Sequence, residues 1–493
     1  MDNYYESIEK DVENKGKKKV NKKKVLIGAG ILGAIIVAVV IFFVVRNDDT
    51  KKLEIVTYYD KDENITRVHV NDRLVGEMEG DCYLAMRNMN DTGIYFSNDN
   101  STIYVLDKKQ IKEVSKAMNI VTVANHANVA LMTNDEGHLY RYDGKKVQVV
   151  IDEAVECAAI SGNGKTYAYT VDGDSYFGNK IGKETKVEDC FITYLSDNGK
   201  LIYGLSGDES LQESDFMGDL YRMRELYLQD NTNLIRIDDN GKKEEIAESV
   251  LTIHGLNEDG TELVYGTNDG TYILVDGKDN KKISDDELVY ISYYNSDYIL
   301  YGNYNTVESM KDTLLLFNND SGSLKCCYLS DKYENVNVLD DCAFILGADK
   351  DLTKIIYITE DYKLIYANVE EDAETEVLCD DSSNAVMTPD GEDIYYVSMN
   401  EKMELHHVDK DLKDSVVMEL SSLSGFEVVD DGCYIKAGSI YYLNGDKATE
   451  VSSEGDIEMD YYSKKAYMTI KYEYVDKDTE LYSLDGGEKK LIE

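Results

Sequence analysis

Six histidines, His69, His126, His138, His254, His406 and His407, are the side chains best suited to move protons at neutral pH. They fall one to a strand or turn except for the last pair. With 96 acidic residues in the chain, a carboxylate beside any of them is expected by coincidence. No nucleophile is marked: Gly204-Leu205-Ser206-Gly207-Asp208 fails as a GxSxG elbow at its fifth place. Zinc spacing, HExxH, a phosphate loop and a dinucleotide fingerprint are all missing from the sequence. Asp60-Lys61-Asp62-Glu63-Asn64 opens like a calcium loop, but Ile65 holds the glycine place and Asn71 that of the bidentate acid. Asp238-Asp239-Asn240-Gly241 is equally partial, and acidic turns are ordinary hairpin chemistry. The expectation is therefore no catalytic residue, no metal ligand and no cofactor, with calcium at the acidic turns as the alternative.

A stronger candidate for recognition is the stretch Gly207 to Asp230, GDESLQESDFMGDLYRMRELYLQD. Asp208, Glu213, Asp215 and Asp219 stand there beside Phe216, Tyr221 and Arg222. Mixed charge with aromatic side chains gives electrostatic steering and apolar contact in one segment. A second insertion runs from Tyr304 to Asp312, and a further long connection lies near Asp331 to Val338.

The elements that must position these residues divide the chain into unequal parts. Residues 1–24 are a lysine-rich tail, expected in the cytoplasm. Val25 to Val45 is an uncharged run, at about 1.5 Å per residue long enough for one bilayer crossing, and reads as a single transmembrane helix. Lys15, Lys17, Lys18, Lys19, Lys22, Lys23 and Lys24 precede it and only Arg46 follows before Asp48, which places residues 46–493 outside the cell membrane. Gly30, Ala34 and Ala38 lie four apart and suit a helix-mediated homodimer. The formal net charge of −44 argues against nucleic acid as a partner.

Beyond the run, short alternating strands recur between Asn, Asp and Gly turns. An apolar-tyrosine element, or a substitute for it, repeats at Ile94-Tyr95, Ala130-Leu131, Ala168-Tyr169, Ile202-Tyr203, Val264-Tyr265, Leu300-Tyr301, Ile356-Tyr357, Tyr395-Tyr396, Cys433-Tyr434 and Ala466-Tyr467. The mean spacing is about 41 residues, a period at which four-stranded blades repeat. Each unit offers an apolar first strand and increasingly polar later ones, as a blade buried at its inner side requires. Three more strand candidates, Leu53–Tyr59, Ile65–Val70 and Arg73–Met78, precede the ten units. An acid-Cys pair opens four units, at Cys82, Cys157, Cys190 and Cys342; equivalent places on separate blades are too far apart for disulfides.

The turns Ser161-Gly162-Asn163-Gly164-Lys165 and Ser196-Asp197-Asn198-Gly199-Lys200, with Thr388-Pro389-Asp390-Gly391, resemble the WD40-like repeats of TolB-type β-propellers. Turns near Asn90, Asn134 and Lys350 depart from that pattern. The resemblance implies a rigid scaffold for contacts, without chemistry of its own, of the kind seen in anchored bacterial surface proteins. The sequence thus predicts an all-β propeller of about ten blades, in one ring or two, behind a membrane helix. Its expected role is a surface module binding an extracytoplasmic protein or glycan. The alternative is a lyase or glycosidase working in the central channel. Deleting Glu209–Met223 and closing the gap with a short flexible turn is expected to abolish ligand capture and leave thermal melting unchanged; retained capture would refute the assignment.

Overall fold

The computed structural model describes residues 52–493 except 89, 108, 208–225, 228–231, 257–260, 286–289, 292–312, 319–322, 329–333, 383, 400–401, 431, 461–462 and 471–478. Every regular element among the described residues is a strand. The strands build eleven antiparallel sheets: nine of four strands, one of three and one of five. In order they cover residues 55–79, 82–115, 118–154, 157–187, 191–247, 250–284, 290–339, 344–379, 385–419, 426–452 and 456–491, and are numbered first to eleventh below. The sixth gains a short strand, Leu226–Tyr227, which comes from within the fifth and pairs with Thr252 and Ile253. Leu53–Glu493 forms one compact unit.

Both faces of a sheet are apolar here, so each sheet needs a neighbour on either side. Ile55, Val68, Cys82 and Phe96 join the first to the second. Val105 packs with Met132, Leu139 with Ala158, Phe177 with Ile192, and Leu205 with Ile253, which carries the stack to the sixth. The strands Asp279–Ser284 and Glu334–Leu339 lie side by side. Val338 then meets Ile355, Ile356 meets Met387, Val397 meets Ile435, and Tyr434 meets Met468. Finally Val56 and Tyr58 of the first sheet pack on Tyr467 and Leu481 of the eleventh. The stack closes on itself as one propeller-like circuit. The three candidate strands before the ten units form the sheet that completes it, as Ile55–Asp60, Ile65–Val70 and Arg73–Glu79.

Eight of the eleven sheets bury a tyrosine on the second strand of their repeat unit. Tyr95, Tyr167, Tyr203, Tyr265, Tyr357, Tyr395, Tyr434 and Tyr467 are fully buried, which explains the tyrosine bias as packing. The quoted turns share one hydrogen-bond cage. Ser161 Oγ accepts from the Thr166 amide, Ser196 Oγ from Leu201 and Thr388 Oγ1 from Asp393. Gly164, Gly199 and Gly391 take φ near 70° at the same place, where a side chain would be strained. Where the sequence departs from the motif, Asn88 Oδ1 accepts from the Thr92 and Gly93 amides, and Asp349 Oδ1 from those of Thr353 and Lys354, doing the hydroxyl's work.

Two expectations need correction. No helix among the described residues is long and apolar enough to cross a membrane, and Val25 to Val45 lies outside the described residues. The single-pass anchor, the cell-membrane topology and the helix-mediated homodimer are therefore withdrawn, and the fold class of the described residues is all-β sheets. The second insertion, Tyr304 to Asp312, also lies outside the described residues. The long connection placed near Asp331 to Val338 contains instead the outer strand Glu334–Leu339 of the seventh sheet.

Circuit closure rests on a buried ion network. Arg87 at the end of an inner strand sets Nε 2.6 Å from Asp91 and Nη1 3.1 Å from Asp460, and donates through Nη2 to the Leu53 carbonyl. Asp460 also accepts the Ile55 amide at 2.7 Å and the Ser463 hydroxyl. Replacing Arg87 by Met leaves a buried carboxylate without its cation and is expected to cost about 3–5 kcal/mol of unfolding free energy in urea denaturation. The double variant Arg87→Met, Asp460→Asn should recover part of that loss.

Candidate functional site at the closing seam

The inner strands of the eleventh, first and second sheets meet where the circuit closes. Ile55 starts beside Asp460, which ends its strand, and Leu53 lies against Arg87 and Asp91. The strand Ile55–Asp60 therefore runs opposite to the inner strands on both sides, Cys82–Arg87 and Asp456–Asp460.

The strand Asp456–Asp460 alternates cleanly. Ile457 and Met459 pack toward the tenth sheet, while Asp456 and Glu458 are exposed and Asp460 is buried. Alternation places the three acids on one face. They are not equivalent. Asp460 is saturated by Arg87, Ser463 and the Ile55 amide, so it is structural. Asp456 pairs with Lys436 of the tenth sheet, and Glu458, exposed, stands between Asp456 and Asp460 on the strand. Sequence reading missed this pair because acids are everywhere in the chain; the usable signal was Asp-Ile-Glu-Met-Asp, an acid at every second place of an inner strand.

Of the residues picked for recognition, Asp208, Glu213, Asp215, Phe216, Asp219, Tyr221 and Arg222 lie outside the described residues. The nearby strand Leu226–Tyr227 is the innermost of the sixth sheet. The apparent calcium loop is a turn: Asp60 Oδ1 accepts from the Asp62 and Glu63 amides while Oδ2 meets Arg67 at 2.8 Å. Asp238 Oδ1 likewise accepts from the Asn240 and Lys242 amides, and these bonds hold its carboxyl below the usual range. Among the described residues no group of His, Cys, Asp and Glu is arranged to hold a metal.

Histidines serve as links rather than as a convergent site. His126 meets Asp197 at 2.6 Å across two sheets, and His138 meets Asp152. His69 is buried, bonds Glu493 at 2.9 Å through Nε2, and burial holds it below its ordinary value. His406 stacks on Tyr396 and meets Asp414 at 3.1 Å. His407 lies buried between Asp393 and Asp446 with both ring nitrogens engaged. The His254 side chain lies outside the described residues.

No family model and no curated relative matches the sequence. Solved structures similar to the chain include an oligogalacturonate lyase from Vibrio parahaemolyticus, at 11% identity over 73% of this chain and 98% of that one, with a TM-score of 0.31. A eukaryotic initiation factor matches at 8% identity over 90% and 96%, with a TM-score of 0.38. The Cps50 (Swd1) β-propeller domain of Myceliophteria thermophila matches at 11% identity over 66% and 94%, with a TM-score of 0.28. None lends this chain a residue role. The expectation of an anchored binding module is withdrawn with its helix, and the question of catalysis passes to this chain's own side chains.

The thiols take no part in that question. Six cysteines, among them Cys379, are free and buried. Burial pushes Cys82 up to about 11 and Cys157, Cys190 and Cys342 up to about 12, and raises Cys433 further. Thiolate is the reactive form, so iodoacetamide near pH 8 is expected to leave these five unmodified in the native chain and to label all of them in urea. Mass spectrometry of the labelled peptides reads the difference.

Proposed function

We propose that the chain is a propeller-type enzyme of the glycosidase class, working at the inner strand Asp456–Asp460 on neutral glycosides. The exposed pair Asp456 and Glu458 carries this reading. Two residues of extended strand set their Cα atoms about 7 Å apart on one face. Carboxyls about 6.5–9.5 Å apart suit inversion, in which one protonates the leaving oxygen and the other activates a water on the opposite side. Asp456, already paired with Lys436, is suited to activate the water, and Glu458 to deliver the proton. Asp460 and Arg87 fix the end of the strand and so its register. A net charge of −44 repels uronate polymers, which favours uncharged sugars over the polyanions a lyase cleaves. The insertion with Asp208, Glu213, Asp215, Phe216, Asp219, Tyr221 and Arg222 enters this proposal as a rim contact for the same ligand.

The test uses the full chain with a panel of neutral aryl glycosides and uncharged oligosaccharides. Glu458→Gln is expected to lower glycoside cleavage by about 10²- to 10⁴-fold, the usual worth of a general acid, with melting unchanged. No cleavage by the unmodified chain, or full activity in the variant, would sink the reading.

A further inference from the structure

His407 sits at the end of the third strand of the ninth sheet, with its side chain about 5% exposed. Its Nε2 lies 2.5 Å from Asp393, in a turn of its own sheet. Its Nδ1 lies 2.7 Å from Asp446, in the hairpin turn of the tenth sheet. The ring packs 5.2 Å from that of Tyr395, whose hydroxyl reaches the Gly445 carbonyl. Ser415 donates to the same Asp446 carboxylate. A neutral imidazole has one N–H and one lone pair. It can donate to one of the two carboxylates, and must then turn its lone pair toward the other. Only the imidazolium donates to both, so the observed geometry requires the charged ring.

We propose that the seam between the ninth and tenth sheets is a pH-operated clasp, closed while His407 carries both ring protons and opened when it loses one. Of the two His407 bonds, the one that crosses the seam goes to Asp446, whose side chain is 68% exposed; Ser415 and Tyr395 add bonds across the same seam. Asp393 stays within the same sheet and keeps the remaining proton. The groups facing the ring are Asp393, Tyr395 and Ser415 from the ninth sheet and Asp446 from the tenth. Lys413 acts on Asp446 from the neighbouring turn, and Cys433 and Tyr442 lie near Tyr395. Burial works against the charge on His407, and the bonds to Asp393 and Asp446 more than restore it, so the ring titrates above its ordinary value. The sign follows: the clasp contributes fully below the unfolded value of about 6.5 and is lost as pH rises through the folded one.

Hydrogen–deuterium exchange of the full chain, corrected for intrinsic rates from about pH 5.5 to 9, reads the hairpin around Asp446. Its protection is expected to fall about tenfold or more as His407 deprotonates, the loss of one charge-assisted bond. In His407→Gln the step should vanish. Should that variant fail to fold, Asp446→Asn replaces an exposed group and is expected to move the step to lower pH. Protection that is constant with pH in the unmodified chain, a step retained in His407→Gln, or one unmoved in Asp446→Asn would overturn the clasp.

Discussion

A sheet with two apolar faces has no stable free end, and eleven of them in sequence leave two such faces to be matched. The pairing of the eleventh sheet with the first answers that constraint. Val56 and Tyr58 bury against Tyr467 and Leu481, and the Ile55 amide bonds Asp460 beside Arg87. An arginine whose side chain is fully enclosed is tolerable because each end of its fork is answered, by Asp91, by Asp460 and by the Leu53 carbonyl. The buried tyrosines, the turn cages and the charged outer strands all presuppose that this join is made.

The same join makes the inner wall irregular, as the added strand Leu226–Tyr227 does at the sixth sheet. The first sheet has three strands, and its innermost opposes the direction of both flanking ones. A carboxylate strand borders it, and alternation within five residues separates one buried, structural acid from two exposed ones. Register is what keeps these roles apart. A slip by one residue would exchange Asp456 and Glu458 for Ile457 and Met459.

Much of the frame was legible because the period is written in residue types that physics requires. A tyrosine that fills the second strand and a glycine that permits φ near 70° recur at fixed offsets. Chemistry that can be done by more than one residue was not legible. Asn88 and Asp349 replace a serine hydroxyl in the turn cage, and nothing local to Lys350 announces it. The carboxylate pair was hidden by the abundance of acids, and the closing contact by the distance between its partners. His407 stood out only as one of a pair; its two aspartates come from positions 14 residues before it and 39 after it. The inference of a membrane helix rested on the length of an uncharged run and its lysine flank, at positions outside the described residues, and no described element is a membrane-crossing helix.

The amide of Ile55 and the carboxylate of Asp460 are separated by 405 residues along the chain. During synthesis the first sheet is thus made early and left without its partner until almost the whole polypeptide has emerged. The other sheets can stack on their predecessors as they appear, since each contact is local. Only the last step pays the entropy of joining distant ends. Until then an apolar face at each end of the stack waits exposed, and this interval is when a nascent chain would most need shielding from others of its kind.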